Sequence, residues 1–329
     1  MYLGTQQKPR NDDDYRTWAQ LGVCHICGWP EVPHEEWSAG TLGAFREKVE
    51  SFGLTLDFIQ LPLSSATIGT EQSRTKLPNI LLGKSPERDR EIEHICDIIR
   101  ACSGAGIPAV KYNLNIIGIP RTEREEGRGG YSASAFRWAE ADREAPPTIA
   151  GYVSEDDFWE RIDYFLERVV PVAEEHRVRM ACHPHDPYTP LGYRGVTRVL
   201  GTVEGLKRLV RMHESPYHGL NFCQGTVAEM LENPAEEIFD VIRWFGKREK
   251  IFLVHFRNIA GKRLDFVETF PDEGDIDMLK AAGVYNEVGY PYMLVPDHEP
   301  WIAGENQAGV AYAFAYGYIA ALLQCVNGE

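Results

Sequence analysis

The sequence predicts an α/β fold, a (β/α)8 barrel, on three observations. Short apolar runs alternate with longer helical patterns along the chain, most of the runs are continuous rather than alternating, and no Gly-rich phosphate turn follows the first of them. The eight runs are 21–27, 54–59, 109–113, 179–183, 219–223, 251–255, 263–268 and 292–296. Continuous apolar runs are what strands buried on both faces require. With 329 residues the chain suits one large barrel with insertions better than one small domain.

Helical spacing fills the gaps. The segment 41–52 places Leu42, Phe45 and Val49 on one face and stops at Gly53. Segment 86–105 carries Ile92, Ile95, Cys96, Ile98 and Ile99. Segment 154–176 opens with Ser154-Glu-Asp-Asp157, an N-cap followed by first-turn acids that complement the helix dipole. Segments 202–213, 227–245, 275–282 and 309–324 complete the set. No Pro- or Ser-rich linker divides the chain, so a single domain over 1–329 is expected. The segment 118–151, charged and rich in Gly and Arg, stands out as a long insertion after the expected third strand. Loops of that length in a compact domain are functional or disordered, and this one reads as a lid or an oligomer contact.

The charge balance of 34 basic against 49 acidic residues, a net of −15, argues against nucleic acid as a partner. Positions 1–14 are polar, and no apolar run is expected to reach the ~18 residues of a membrane span, so neither a signal peptide nor a membrane is expected. The seven cysteines show no disulfide framework, which fits a reducing cytoplasm. Cys24 and Cys27 are read as ordinary packing. A homo-oligomer is the default expectation for such a barrel.

In barrels of this kind the active site lies where the strands end. The run 179–183 ends in Cys182-His183-Pro184-His185-Asp186-Pro187, the next in Asn221-Phe222-Cys223-Gln224-Gly225, the next in Val254-His255-Phe256-Arg257-Asn258, and the last in Pro296-Asp297-His298-Glu299. Imidazole, thiolate and carboxylate arriving from different strands can converge on one borderline divalent cation. His185 competes with His183 as the first imidazole, and the mixed donor set leaves Mn2+, Fe2+, Co2+ and Zn2+ open. No organic cofactor is expected. Arg257 could hold a carboxylate by its fork, with Asn258 beside it. Asn113, with Tyr112 and Asn115, could hydrogen-bond sugar hydroxyls, and Glu268, at the expected seventh strand end, could be an acid or a base. Tyr312 follows the last motif, though Tyr312, Tyr316 and Ile319 also share core-helix spacing.

At these residues the chain resembles the mannonate dehydratase family, within the xylose isomerase-like barrels. The matching stretches are Lys111-Tyr-Asn113, Cys182-His-Pro-His-Asp-Pro187, Gly219-Leu-Asn-Phe-Cys-Gln-Gly225, Val254-His-Phe-Arg-Asn258, Gly274-Asp-Ile-Asp-Met278 and Val295-Pro-Asp-His298. The resemblance implies His183, Cys223, His255 and Asp297 as metal ligands, usually for Mn2+, and His298 and Tyr312 as candidates for proton transfer. It departs at Pro271, where the family has His, at Val295, where Arg is common, and over 304–312, where a Gly-Tyr is expected. The function it implies is dehydration of a sugar acid such as D-mannonate to 2-keto-3-deoxy-D-gluconate. A metal-dependent sugar isomerase or epimerase, and a non-catalytic sugar-acid-binding barrel, are the alternatives.

Overall fold

The computed structural model describes residues 1–73 and 76–328. Its strands, in chain order, are β1 (Tyr2–Thr5), β2 (His25–Gly28), β3 (Thr55–Gln60), β4 (Ala109–Asn113), β5 (Glu125–Glu126), β6 (Ser132–Ala133), β7 (Ala135–Arg137), β8 (Arg179–His183), β9 (His218–Cys223), β10 (Ile251–His255), β11 (Asn258–Lys262), β12 (Asp265–Thr269) and β13 (Met293–Val295). Eight of them, β1, β2, β3, β4, β8, β9, β10 and β13, form a closed parallel barrel, with β13 pairing back onto β1.

Two expectations need correction. The first barrel strand is β1, in the segment read as a polar terminus; it is only four residues long and carries no apolar run. The stretch 263–268 is not a barrel strand. It belongs to β12, which pairs antiparallel with β11 and with β7 in a three-stranded sheet outside the barrel. It is exposed at Asp265 and half-buried at Val267, whereas β4, β9 and β10 are buried throughout. The insertion 118–151 therefore follows the fourth barrel strand, not the third, and it contributes β5, β6 and β7.

The helices wrap the barrel with their apolar faces inward. Pro86–Gly104 starts with Ser85 as N-cap and Pro86 in the first turn, and buries Ile92, Ile95, Ile98 and Ile99. In Glu155–Glu175 the Ser154 side chain and Asp157 close a reciprocal capping box, and Phe158, Ile162, Phe165 and Val169 are buried. The expected helix 227–245 is two helices, Gln224–Ala228 and Pro234–Gly246. Pro234 has no N–H for an interior helical bond, so it sits in the first turn of the second helix.

The last helix, Gln307–Asn327, has no charged residue and is long and apolar enough to cross a membrane by length and composition, contrary to the expectation that no such stretch exists. A third of its most apolar window is buried, and Ala311, Ala315, Tyr316, Ile319, Leu322 and Leu323 form its buried face. Tyr316 closes a hydrogen bond of 2.7 Å with Thr5 at the end of β1. Inside the barrel, Phe58, Ala109, Ala181, Phe252, Leu253 and Met293 pack with Cys27 into a separate apolar cluster. This plug leaves the C-terminal mouth as the place where polar side chains converge. Cys24 and Cys27 are both free thiols, and Cys27 belongs to the plug.

Candidate metal centre and pocket

Strand register brings the first three donors to one level. Asn113 pairs with His183, Cys223 with His255, and His255 with Val295. Asp297 lies two residues beyond Val295, and an extended chain of period two returns it to the same face. The donor atoms of His183, Cys223, His255 and Asp297 all lie within 4.8 Å of one another, and all four residues are buried. The structure thus decides between the two imidazoles. Past His183 the strand ends, and His185 uses both ring nitrogens elsewhere, Nε2 on the Leu114 carbonyl at 2.7 Å and Nδ1 on the Leu200 N–H at 3.2 Å.

The protonation chemistry of the cluster suits a cation. Burial, and after it the charge of Lys111, lowers His183 to about 4, so its imidazole is neutral. Its Nδ1 lies 2.7 Å from the Pro184 carbonyl, which fixes the tautomer and leaves Nε2 with a lone pair for the cluster. Burial would raise the Cys223 thiol, but Arg257 and His255 bring it down to about 7. Burial likewise opposes ionisation of Asp297, and the positive charges of His298 and His255 outweigh it and hold the carboxyl well below its usual range. His255 supplies the sharpest observation. Its Nδ1 is fully buried, 3.1 Å from Asp297 Oδ2, yet makes no hydrogen bond of good geometry. Its Nε2 is 3.0 Å from the Asn221 amide, whose oxygen is also without a partner. Turning that amide over lets Asn221 Oδ1 accept from Nε2–H and leaves Nδ1 as a free lone pair aimed at the cluster. Two imidazoles, a thiol brought toward ionisation and a carboxylate, with an orphaned buried nitrogen among them, fit a divalent metal ion.

Behind the cluster lies a buried network of ions. Arg257, 2% exposed, contacts Asp186 at 3.1 Å, Glu229 at 2.9 Å and Glu268 at 2.8 Å, and donates to the Thr226 hydroxyl at 3.0 Å. Arg121, from the 118–151 insertion, reaches Asp186 at 2.7 Å and also meets Glu268. Burial, then the neighbouring Asp186 charge, holds the Glu229 carboxyl above the usual range in spite of Arg257. His298 joins this network through Nδ1, 2.8 Å from Glu268 Oε1, while its Nε2 lies 3.8 Å from Asp297 Oδ2. Burial would lower His298, but the Asp297 and Glu268 carboxylates override it and push it up to about 10.

Three expected substrate contacts are relocated by this geometry. The Arg257 fork is already occupied by carboxylates of the protein, so it is not free to grip a ligand. Asn258 is a structural staple: Nδ2 donates to the Pro271 and Ile276 carbonyls, and Oδ1 accepts from the Ile259 and Ile276 N–H groups. Glu268, 2% exposed, holds His298 and both arginines rather than facing the pocket. Asn113 does line the pocket, a cavity of about 290 Å³ shared with Gln6, Lys8, Trp29, Lys111, His183 and His298. Tyr312 lines an adjoining cavity that shares only Gln7 and Lys8 with this one. Burial, then the charges of Asp297 and Glu299, keep its phenol protonated well beyond the usual range.

Sequence reasoning missed Gln6, Trp29, Gln60 and Lys111 as pocket residues. Gln6 follows the undetected β1 and donates from Nε2 to Asp297 Oδ1 at 2.7 Å. Lys111 was in plain view inside a matching stretch, and its place between Val110 and Tyr112 on a strand buried throughout was the available signal.

The profile of the D-mannonate dehydratase (UxuA) family matches residues 148–328, more than half of the chain. Mannonate dehydratase of Thermotoga petrophila is 29% identical over 308 residues, covering 83% of this chain and 80% of the relative. Mannonate dehydratase 2 of Halalkalibacterium halodurans is 29% identical over 299 residues, covering 82% and 81%. The crystal structure of mannonate dehydratase from Streptococcus suis serotype 2 superimposes with a TM-score of 0.82 at 26% identity, over 99% of this chain and 93% of that one. A D-tagatose 3-epimerase-like protein shares the fold, with a TM-score of 0.62 at 16% identity.

Proposed function

Since this chain belongs to the D-mannonate dehydratase family, and is by that membership a metal-dependent hydro-lyase of sugar acids, we propose that it converts D-mannonate to 2-keto-3-deoxy-D-gluconate with Mn2+ as its metal. The observation that carries this reading is the convergence of His183, Cys223, His255 and Asp297, three of which, His183, His255 and Asp297, line a pocket that also holds His298. Those four residues would hold the ion. When bound, it would act as a Lewis acid toward the substrate's oxygen atoms and ease loss of the weakly acidic proton beside the carboxylate.

The protein's own groups do the rest. Dehydration removes the proton from C2 and hydroxide from C3, and the resulting enol becomes the 2-keto-3-deoxy acid. One group must take the C2 proton and one must give a proton to the departing hydroxyl. His298 is assigned to proton transfer because its ring lines the pocket while Glu268 fixes Nδ1, the arrangement that orients an acting imidazole. Tyr312 is assigned as the second proton carrier, from the adjoining cavity whose lining meets that of this pocket at Gln7 and Lys8. Asn113 orients a sugar hydroxyl. The insertion 118–151 acts as a lid, since Ile119 lines the pocket and Arg121 ties the segment to Asp186 and Glu268.

The test is incubation of Mn2+-loaded protein with a panel of six-carbon aldonates, read by mass spectrometry. A product lighter than D-mannonate by one water is expected. A product of unchanged mass would replace dehydration with isomerisation, and binding without conversion would leave a sugar-acid-binding barrel.

A further inference from the structure

Lining the same pocket as His183, His255 and Asp297 is a buried cation that forms no ion pair with a carboxylate among the described residues. Lys111 is the third residue of β4, in register with Gln60 on β3 and Ala181 on β8, and is 7% exposed. Its Nζ carries three donors, and the one hydrogen bond recorded for it goes to the Gln6 side-chain oxygen. Among the described residues no Asp or Glu oxygen forms an ion pair with it. The contrast with Arg257 and Arg121 is direct, since each of those touches several carboxylates. Burying an ammonium without a counter-ion is costly, and an apolar residue of the same length would avoid the cost. Burial disfavours the charged form of Lys111, and the neighbouring Cys27, Asp297 and Cys223 side chains act in the opposite sense.

The ligand chemistry decides what completes the pair. A divalent ion held by Cys223 and Asp297 would take up the negative charge on the cluster side, and the lysine would then be left without an anion. The protein as a whole is acidic, with a net charge of −15, so an anionic substrate needs local cations. Among the described residues, Lys111 and the exposed Lys8 are the lysines and arginines lining the pocket, and Lys111 is the buried one. Gln6 spans the gap, with its oxygen on Lys111 and its nitrogen on Asp297, which sets Nζ and that carboxylate no more than about 8 Å apart by two hydrogen bonds and the width of an amide. That separation suits a short acid whose carboxylate end reaches the lysine while its neighbouring oxygens face the ligand cluster.

We propose that Lys111 binds the carboxylate of the substrate and is the residue by which this pocket selects sugar acids over the matching neutral sugars, with Gln6 positioning it. The inference rests on the sugar-acid reading above and names the group that makes it work. The profile match begins at residue 148, beyond Lys111 and Gln6, so the roles given to these two residues rest on the geometry of the pocket.

The experiment compares wild-type protein with Lys111→Met and Lys111→Gln, all loaded with Mn2+. Metal content by elemental analysis and the thermal midpoint are measured first. Both variants are expected to keep their metal, and Lys111→Met to melt no lower than wild type, because a poorly compensated buried charge has been removed. KM for D-mannonate should rise about 100-fold, with kcat changed by less than about 10-fold, the scale of losing one partner of a desolvated charge pair. Competitive inhibition by an unreactive aldonate and by the corresponding neutral aldonamide should separate the roles. Wild type should prefer the acid strongly, and both variants should lose most of that preference. A folded, metal-loaded variant that keeps the wild-type KM and the wild-type acid preference overturns the proposal. So does loss of metal in both variants, which would make Lys111 part of the ion's support. If wild-type protein neither binds nor dehydrates any aldonate, the sugar-acid reading falls first and takes this inference with it.

Discussion

The two halves of the barrel mouth are built on opposite electrostatic plans. The half made by β8, β9, β10 and β13 carries imidazole, thiolate and carboxylate groups, and behind them Arg257 and Arg121 each meet several carboxylates. The half made by β1, β3 and β4 carries amides and one lysine. Gln60 spends its Nε2 on the backbone carbonyls of Leu61, Leu63 and Lys111, and Asn113 reaches the Leu63 carbonyl, so these side chains tie down loops rather than balance charge. The difference teaches where each component of the reaction binds. A region whose charges are compensated internally is prepared to hold a fixed ion in one geometry. A region with one uncompensated cation is prepared to receive an anion that comes and goes.

Breaking the ligand half should give the largest effect. His255→Ala removes the donor whose Nδ1 has no hydrogen-bond partner. The variant should lose its bound ion on elemental analysis and turn over substrate at least about 1000-fold more slowly, since neither the Lewis acid nor its charge remains. Retention of one ion per chain with full turnover would place the metal elsewhere.

Arg257 tests whether the layer behind the ligands is structural. Arg257→Leu leaves Asp186, Glu229 and Glu268 without their shared guanidinium, and removal of one partner from a buried ion pair costs about 3–5 kcal/mol. Denaturant unfolding should show a loss of that size. A variant of unchanged stability with a raised KM would restore the substrate-gripping role that the sequence suggested.

The same contrast explains what could be read from the sequence. The ligand half was legible because few residue types bind borderline metals, and His183, Cys223, His255 and Asp297 each stand at or just past the end of an apolar run. Seven of the eight barrel strands were found for the same reason, that strands buried on both faces leave continuous apolar runs. The amide half was not legible. Gln, Asn and Lys are common on any surface, and β1, which positions Gln6, is too short to show a pattern. The stretch 263–268 was misplaced because a hairpin strand packed on one face presents enough apolar residues to pass for a barrel strand. Arg257 and Glu268 were recognised as important, but no sequence shows that charged groups 147 or 11 residues apart will satisfy each other rather than a ligand. Only the distances reveal that both are spent inside the protein.

Glu268 offers the finest division of the two halves, because it touches the reacting side only through His298. Its Oε1 lies 2.8 Å from His298 Nδ1, and the same oxygen serves Arg257 and Arg121. Burial would raise its carboxyl, but His298 and the two arginines bring it down to about 2, so it is charged at neutral pH. Glu268→Gln keeps the shape and an acceptor for Nδ1 while removing the charge that steadies the imidazole. Metal content should be unchanged, kcat should fall by about 10–100-fold, the usual cost of losing a group that orients a reacting side chain, and KM should stay close to wild type. If KM rose while kcat held, Glu268 would be meeting the substrate itself. If the ion were lost, the buried network would be an integral part of the ligand set, and the boundary drawn here between the charge-holding layer and the reacting groups would have to move outward to include it.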